Sequence, residues 1–206
     1  VVDCSNYAKV SAKACYTYAA GIAGFATGDI LYCKNSGEID GTITRTHGVA
    51  YSYGYVAGIV GRSSATISEC FNIGDIWTFE AYASEVGYAG GICSYISGTI
   101  INCFNQGSVF SYSWYGYAGG IAGYADSSSS VSLCYNVAKV SGRRDGAIAG
   151  YTANITPNCY YYNDMKGVGT GRDTAISCSY DELLVQSTFE GFDFSSVWMM
   201  QTEGIC

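Results

Sequence analysis

A seven-residue pattern that occurs five times is the strongest constraint on what this chain can fold into. The pattern is Cys-x-Asn-x-Gly/Ala-x-Val/Ile, and its copies begin at Cys4, Cys33, Cys70, Cys103 and Cys134. A degenerate sixth copy begins at Cys159, and the intervals between successive cysteines are 29, 37, 33, 31 and 25 residues. Periods of roughly 20–50 residues indicate a solenoid, a propeller or another repeat array.

A second pattern of the type Gly-Ile-Ala-Gly lies between the cysteine motifs. Its five copies begin at Gly21, Gly58, Gly91, Gly120 and Ala147, and the next repeat cysteine follows after 12, 12, 12, 14 and 12 residues. Each repeat therefore combines a half of nearly constant length with a half of variable length.

The constant half has the alternation of a β-strand. Cys, Asn, Gly and Val lie at positions i, i+2, i+4 and i+6, which share one face of an extended chain. Short strands with glycine turns in repeats of this length predict an all-β fold, a parallel β-solenoid of about five coils. Equivalent residues of successive coils then stack about 4.8 Å apart.

Three ladders of equivalent side chains follow from that stacking. We expect the isoleucines to fill the interior, the asparagine amides to bond locally and to one another at a bend, and the cysteines to act as buried packing residues. The ladders comprise Ile22, Ile59, Ile92, Ile121 and Ile148; Asn35, Asn72, Asn105 and Asn136; and Cys33, Cys70, Cys103 and Cys134.

These motifs resemble GLUG-motif repeats, in which a Gly-Gly-Ile-Ala-Gly-Tyr strand precedes Cys-Tyr-Asn-x-Gly-x-Val by about a dozen residues. Residues 119–125 and 134–140 carry the likeness most closely, and it covers roughly residues 4–163. Such repeats occur in large secreted or wall-attached bacterial proteins, including some zinc metalloproteases that cleave immunoglobulin A. The resemblance implies an extracellular or cell-surface location and a repeat architecture, and it implies no reaction.

The last part of the chain differs from the repeats. We divide the chain into solenoid repeats at residues 1–163 and a C-terminal capping segment at 164–206, and expect residues 160–178 to be loop. Ser179 and Glu182 fit a capping box, which predicts a helix of about two turns through Thr188. A start of another domain is the alternative, and the first coil has no comparable cap, so missing chain or another copy could cover it.

The ten cysteines of an apparently exported chain would normally indicate disulfide bonds. A ladder of equivalent cysteines gives no unique pairing, so we expect mostly reduced thiols there. Cys15, Cys178 and Cys206 lie outside the pattern and could pair. No Cys-x-x-Cys motif is present, which argues against a metal site.

Composition and motifs favour a chain that is not an enzyme and needs no cofactor. Its net charge is −7 with no basic stripe, which disfavours nucleic-acid binding, and no apolar run is long enough for membrane insertion. The single histidine, His47, and the compact group Arg143–Asp145 are interpreted as solvated loop or turn residues. No His-Glu-x-x-His or Gly-x-Ser-x-Gly motif occurs.

Aromatic residues are the candidates for recognition. One set (Tyr18, Tyr55, Tyr88 and Tyr117) shares the parity of the isoleucines and is expected inside or at a corner. A second set (Phe25, Tyr95, Tyr124 and Tyr151) has the opposite parity and is expected to form an outward ladder, which either binds a ligand or stabilises the coils. Outside both sets, Trp77 and Trp114 are the best candidates for exposed contacts, and the candidate binding residues are Trp77, Trp114, Tyr53, Tyr112 and Tyr124.

These observations lead to three functional hypotheses. The first is an extracellular module for adhesion or presentation that contacts host protein or glycan through its Tyr/Trp-rich face. The second is a structural subunit that stacks end to end with other copies into a filament or stalk. The third is an accessory domain of a larger secreted enzyme.

Overall fold

A computed structural model describes residues 1–44, 51–80, 85–154, 156–162, 164–201 and 204–205 of the chain. About half of them form short strands in five parallel sheets, which we number in the order in which a coil visits them.

Sheet 1 contains the Cys-x-Asn strands β1 (Ser5–Asn6), β6 (Lys34–Asn35), β11 (Phe71–Asn72), β16 (Phe104–Asn105), β21 (Tyr135–Asn136), β25 (Tyr160–Tyr162) and β27 (Ile176–Cys178). Sheet 2 contains β2 (Val10–Ala14), β7 (Ile39–Ile43), β12 (Ile76–Glu80), β17 (Val109–Tyr112) and β22 (Val140–Ser141). Sheet 3 contains β3 (Tyr16–Ala20), β8 (Tyr53–Ala57), β13 (Val86–Gly90), β18 (Tyr117–Gly119) and β23 (Asp145–Gly146).

Sheet 4 contains β4 (Ala23–Ala26), β9 (Val60–Ser63), β14 (Cys93–Ile96), β19 (Ala122–Ala125), β24 (Ala149–Thr152) and β26 (Val168–Gly171). Sheet 5 contains β5 (Ile30–Leu31), β10 (Thr66–Ser68), β15 (Thr99–Ile101) and β20 (Ser130–Ser132). Every pairing within these sheets joins equivalent residues of successive coils, as in Asn72 beside Asn105, so the predicted all-β parallel solenoid is confirmed.

The asparagines form a continuous column of hydrogen bonds through the middle of the solenoid. The amide Nδ2 of Asn72 donates to Oδ1 of Asn105 at 2.7 Å and to the carbonyl oxygen of Gly74 at 2.8 Å. The same pair of bonds recurs at Asn6, Asn35 and Asn105. Because buried polar groups must be paired, this column fixes which residue of one coil lies above which residue of the next.

Glycine in the second motif lies directly against this column. A Cβ atom on Gly58 would collide with the side chain of Asn72 and the carbonyl of Gly91, and Gly91 meets Asn105 in the same way. The fifth copy of the motif has Ala147 instead. The chain carries Tyr161, not asparagine, at the next position of sheet 1, where it pairs with Asn136.

Each coil bends from sheet 5 into sheet 1 through one residue in the left-handed conformation. That residue directly precedes each repeat cysteine, and its φ lies between 51° and 57° at Asp3, Tyr32, Glu69, Asn102, Leu133 and Asn158. L-residues with a Cβ adopt this conformation at a cost of about 1 kcal/mol. The sheet pairing on both sides therefore holds the bend, whatever residue occupies it.

The interior contains the predicted isoleucines and thiols. Four ladder isoleucines (Ile59, Ile92, Ile121 and Ile148) are fully buried, and Ile22 of the first coil is partly buried. Cys33, Cys70, Cys103, Cys134 and Cys159 are buried beside them, whereas Cys4 is exposed. None of the nine cysteines in the described part forms a disulfide bond, and Cys206 lies outside that part.

Residues 160–178, expected as loop, instead contain three strands. β26 pairs with sheet 4 and β27 with sheet 1, so parallel pairing continues beyond residue 163. That expectation was wrong because Val168–Gly171 lacks apolar alternation and owes its strand to the neighbouring β24. The side chain of Met165 packs against both core clusters at this end of the solenoid.

The tail after Cys178 covers a side of the solenoid. Its helix α1 spans only Tyr180–Leu183, followed by a 3₁₀ turn at Gln186–Thr188, and is shorter than the two turns predicted. The capping box is present: Glu182 N–H donates to Ser179 Oγ, and Ser179 N–H donates to the Glu182 carboxylate. Beyond it, β28 (Met200–Gln201) and β29 (Gly204–Ile205) form an antiparallel pair.

Aromatic residues attach this tail to the outer face of sheet 1. Phe189, Phe192 and Trp198 pack against Tyr135 and Tyr160, and the Tyr160 hydroxyl accepts a hydrogen bond from Glu190 N–H at 2.7 Å. The tail thus protects the sheet side on which Phe104 and Tyr135 stack at 5.2 Å.

We predict that the substitution Asn105→Ala lowers the free energy of unfolding by about 3 kcal/mol, because it leaves buried partners above and below unpaired. Chemical denaturation followed by circular dichroism measures the loss. The matched control is Asn6→Ala, which removes the same bonds at the partly exposed first coil and should cost about 1 kcal/mol. Equal losses at the two positions would show that the column does not carry this stability.

We also predict that native protein treated with iodoacetamide is alkylated at Cys4 and spared at the buried ladder thiols. Burial raises the pKa of Cys33 and Cys134, and only the thiolate reacts. Peptide mass mapping gives the result, and the same treatment in denaturant should label every cysteine. Rapid modification of Cys103 in the native protein would contradict this arrangement.

Candidate functional site

The clearest candidate is a group of four stacked aromatic side chains, Trp77, Phe79, Phe110 and Tyr112, together with the exposed Trp114 in the turn that follows Tyr112. We call these five residues the aromatic face. Trp77 pairs with Phe110 and Phe79 with Tyr112 on the neighbouring strands β12 and β17. Their ring centroids are 4.2 Å and 5.1 Å apart, with interplanar angles of 18° and 6°.

Strand alternation points these rings to the surface. Ile76 and Thr78 of β12 are fully buried, so the residues between them project outward. The neighbouring coils present small or polar partners, with Asp40 beside Trp77 on one side and Ser141 beside Phe110 on the other. The aromatic face is therefore an apolar island with a polar rim, and Phe79 and Tyr112 are 37% and 57% exposed.

Trp114 is positioned by two charged residues. The Glu80 carboxylate accepts hydrogen bonds from Ser113 Oγ at 2.8 Å and from the Trp114 backbone N–H. The Arg143 guanidinium lies 4.1 Å from the centre of the indole ring, a cation–π contact. Trp114 remains 53% exposed, so its indole is held in place and is accessible.

A second aromatic group, which we call the tyrosine cluster, fills the corner between sheets 3 and 4. It consists of two columns, one of Tyr18, Tyr55, Tyr88 and Tyr117 and the other of Tyr95, Tyr124 and Tyr151. Rings of the two columns meet edge to face, as Tyr88 does with Tyr95 at 5.7 Å and 88°. Arg62 lies 4.9 Å from the ring of Tyr95, at the position that the repeat gives to an aromatic residue elsewhere.

The first of these columns has the corner placement that was expected but faces away from the core. Its neighbours Ala19, Val56 and Ala89 are the buried ones. The prediction that these tyrosines point to the same side as the isoleucine ladder was wrong, because the chain turns at the glycine motif between the tyrosine and the isoleucine of each coil. Since Tyr55 is only 8% exposed and the rings cover one another, the cluster fastens sheet 3 to sheet 4.

The two other candidate binding residues, Tyr53 and Tyr124, lie on different parts of the surface. Tyr124 belongs to the tyrosine cluster, and Tyr53 stacks on Tyr16 with a centroid distance of 6.0 Å. Only Trp77, Tyr112 and Trp114 of the predicted set share one face. Phe110, Glu80 and Arg143 were missed, although aligning Val109 with Ile76 in the repeat would have paired Phe110 with Trp77.

Burial also sets the chemistry of the tyrosine cluster. Desolvation raises the pKa of Tyr55 to about 12 and raises the pKa of Tyr88, Tyr95 and Tyr124 above the usual value. These hydroxyls stay neutral at physiological pH and can donate hydrogen bonds.

Within the described ranges, no group of three or more His, Cys, Asp or Glu side chains could hold a metal ion. Burial raises the pKa of the Cys93 thiol to about 12, so it is a packing group and a poor nucleophile. Arg143 and Arg144 lie in a bend, as expected, and Arg143 is exposed. Their guanidinium groups also lie over the rings of Trp114 and Tyr117. His47 lies outside the described residues.

No helix among the described residues has the length and apolar content needed to cross a membrane. Comparison of the chain with models of protein families, with curated proteins and with solved structures finds no match in any of the three.

We predict that part of the tyrosine ionisation is delayed in the folded protein. Tyr55, Tyr88, Tyr95 and Tyr124 should ionise at higher pH than tyrosines in the unfolded chain, because burial raises the pKa of each. Because the folded-state pKa is raised, the unfolded chain loses these protons first. Stability is therefore fully present below pH 10 and falls as the pH rises toward 12. Tyrosinate absorbance against pH measures the titration, and a single transition near pH 10 would contradict it.

Proposed function

We propose that this chain is a non-catalytic extracellular repeat module for adhesion or presentation, which contacts a host protein or glycan through the aromatic face. The observation that carries this proposal is the combination of exposure and fixed position at Trp114. Glu80 holds the backbone of Trp114 and Arg143 lies against its indole, so this side chain offers apolar contact area with less entropy left to lose on binding.

The stacking of the aromatic face suggests how a ligand would lie on it. Trp77 and Phe79 cover one face of Phe110 and Tyr112, so ring edges and the outer faces of the stack remain available. Tyr112 adds a hydroxyl at the exposed end, and Arg143 adds a positive charge beside Trp114. Such a mixture suits sugar rings or the side chains of an extended protein surface.

The resemblance to GLUG-motif repeats supports the proposed location, because those repeats belong to secreted and wall-attached proteins. The ladder of free buried thiols fits this location as well, since thiols enclosed in a core are protected from oxidants.

Self-association into a filament or stalk is a second candidate, favoured by the first coil. Strands β1 to β4 end four of the five sheets, and the described residues include no partner for their outer edges. The far end is stepped, because sheet 1 and sheet 4 extend beyond sheets 2 and 3 there. A flat end-to-end stack of complete coils is therefore harder to form than the repeat alone suggests.

We predict that a ligand found on glycan or host-protein arrays is lost with the variant Trp114→Ala. Truncation of a central interface aromatic costs about 2 kcal/mol of binding free energy, and the melting temperature should stay close to that of the parent chain. Binding by biolayer interferometry and melting by circular dichroism separate the two effects.

The matched control is Tyr7→Ala, which removes a side chain that is 68% exposed and lies outside the aromatic face. It should leave binding unchanged. Arrays that stay blank with the parent protein, or an equal loss with Tyr7→Ala, would remove the support for recognition by the aromatic face. Large species in analytical ultracentrifugation would favour the filament instead.

A further inference from the structure

Among the described residues, the last coil has no strand in sheets 2 and 3. After Tyr160–Tyr162 in sheet 1 the chain passes directly to Val168–Gly171 in sheet 4, whereas the preceding coil first forms β22 and β23. β22 and β23 are therefore the last strands of sheets 2 and 3. The edge of a parallel sheet presents backbone groups that can pair with an added strand.

A cleft of about 720 Å³ lies over this edge. It is lined on one side by Ala138, Lys139 and Val140, and on the other by Met165 and Lys166. A cleft of this size is within the range of ligand sites, roughly 300–1,000 Å³.

Met165 occupies the place of the missing strand without replacing its hydrogen bonds. The backbone N–H of Val140 points at Met165 Sδ at 3.3 Å. In every earlier coil, the equivalent N–H donates to a backbone carbonyl at 2.8–2.9 Å: Val10 to Glu38, Ile39 to Asp75, Ile76 to Ser108 and Val109 to Lys139. A thioether is a weak acceptor on a flexible side chain, so Met165 can be displaced.

The chain itself shows which strand pairs with this edge. The edge residues Ala138-Lys139-Val140 repeat the triplet Ala8-Lys9-Val10 of the first coil. There the partner strand is Gly37-Glu38-Ile39: Val10 N–H donates to the Glu38 carbonyl at 2.9 Å, and Lys9 Nζ lies 2.8 Å from Glu38 Oε1. At the second copy the lysine is exposed and the partner strand is missing.

We propose that the cleft binds an extended peptide segment of a partner protein, added parallel to β22, in which an acidic residue precedes isoleucine or valine. The acidic side chain pairs with Lys139 as Glu38 does with Lys9. The β-branched residue lies over Val140, and the residue two positions later is small or a hydroxyl residue, as Gly41 and Thr78 are in the same column.

At this end sheets 1 and 4 extend further than sheets 2 and 3. A single added strand therefore fits the edge of sheet 2 better than a second solenoid does. Sheets 1 and 4 already continue past β22 through β25, β27 and β26. A complete first coil of another copy would meet these strands before its own β2 could reach the edge. This site adjoins the rim of the aromatic face at Ser141 but uses none of its rings, and it does not depend on the proposed function.

The experiment uses the heptapeptide Gly-Glu-Ile-Asp-Gly-Thr-Ile, which copies residues 37–43, titrated into ¹⁵N- and methyl-labelled protein. We expect shifts at the Val140 amide and the Met165 methyl group that grow with peptide concentration until the protein is saturated. A peptide with proline in place of the aspartate that follows isoleucine should bind about tenfold more weakly. The isoleucine N–H faces away from the edge, as the Ile39 N–H does toward Asp75, so the aspartate N–H is the one that faces the edge, and proline cannot donate there.

A charge swap supplies the matched control. The variant Lys139→Glu, at an exposed position, should bind the parent peptide about tenfold more weakly and regain affinity for a peptide with Lys in place of Glu. Equal affinity in all four protein–peptide combinations would overturn the proposal. So would the absence of shifts at Val140 and Met165 when the protein is saturated with peptide.

Discussion

The column of asparagine amides is the interaction on which the rest of this structure depends. Each buried amide uses its two hydrogens on the next coil and on its own bend, as Asn35 does with Asn72 and Gly37. A shift of one coil by a single residue would break its amide bonds to the coils before and after it. Because the asparagine column fixes the register of the coils, the isoleucine, thiol and aromatic side chains stack in register without having to specify it.

Because the asparagine column sets the register, the coils can vary in length and sequence at positions away from it. Sheets 1, 4 and 5 are linked by segments of nearly constant length, because the asparagine column and the Gly-Ile motif lie against each other there. Sheet 2 directly follows the asparagine motif and sheet 3 directly precedes the Gly-Ile motif. The turn between these two sheets changes length from coil to coil. The aromatic face and Trp114 lie beside that turn, where the coil can change without disturbing the amide column.

The repeat made the solenoid and its ladders predictable, since equivalent residues must stack once the coils do. The left-handed bend before each cysteine could not be predicted, because Tyr32, Glu69 and Leu133 share no property that favours it. The side to which the clustered tyrosines point could not be predicted from strand alternation, because the chain turns between them and the isoleucine ladder. Placing Phe110 in the site requires the alignment of β17 with β12, and placing Arg143 there requires the pairing of β17 with β22. The strand at Val168 forms because it pairs with β24.

The asparagine column also has a direction. Every amide donates toward the C-terminal end, so Asn6 leaves an acceptor facing outward at one end and Asn136 lacks an asparagine acceptor at the other. Two copies that met through their first coils about a twofold axis would set acceptor against acceptor. The amide column could continue across a contact only between unlike ends, so the molecule carries a polarity that excludes its extension through a symmetric pair.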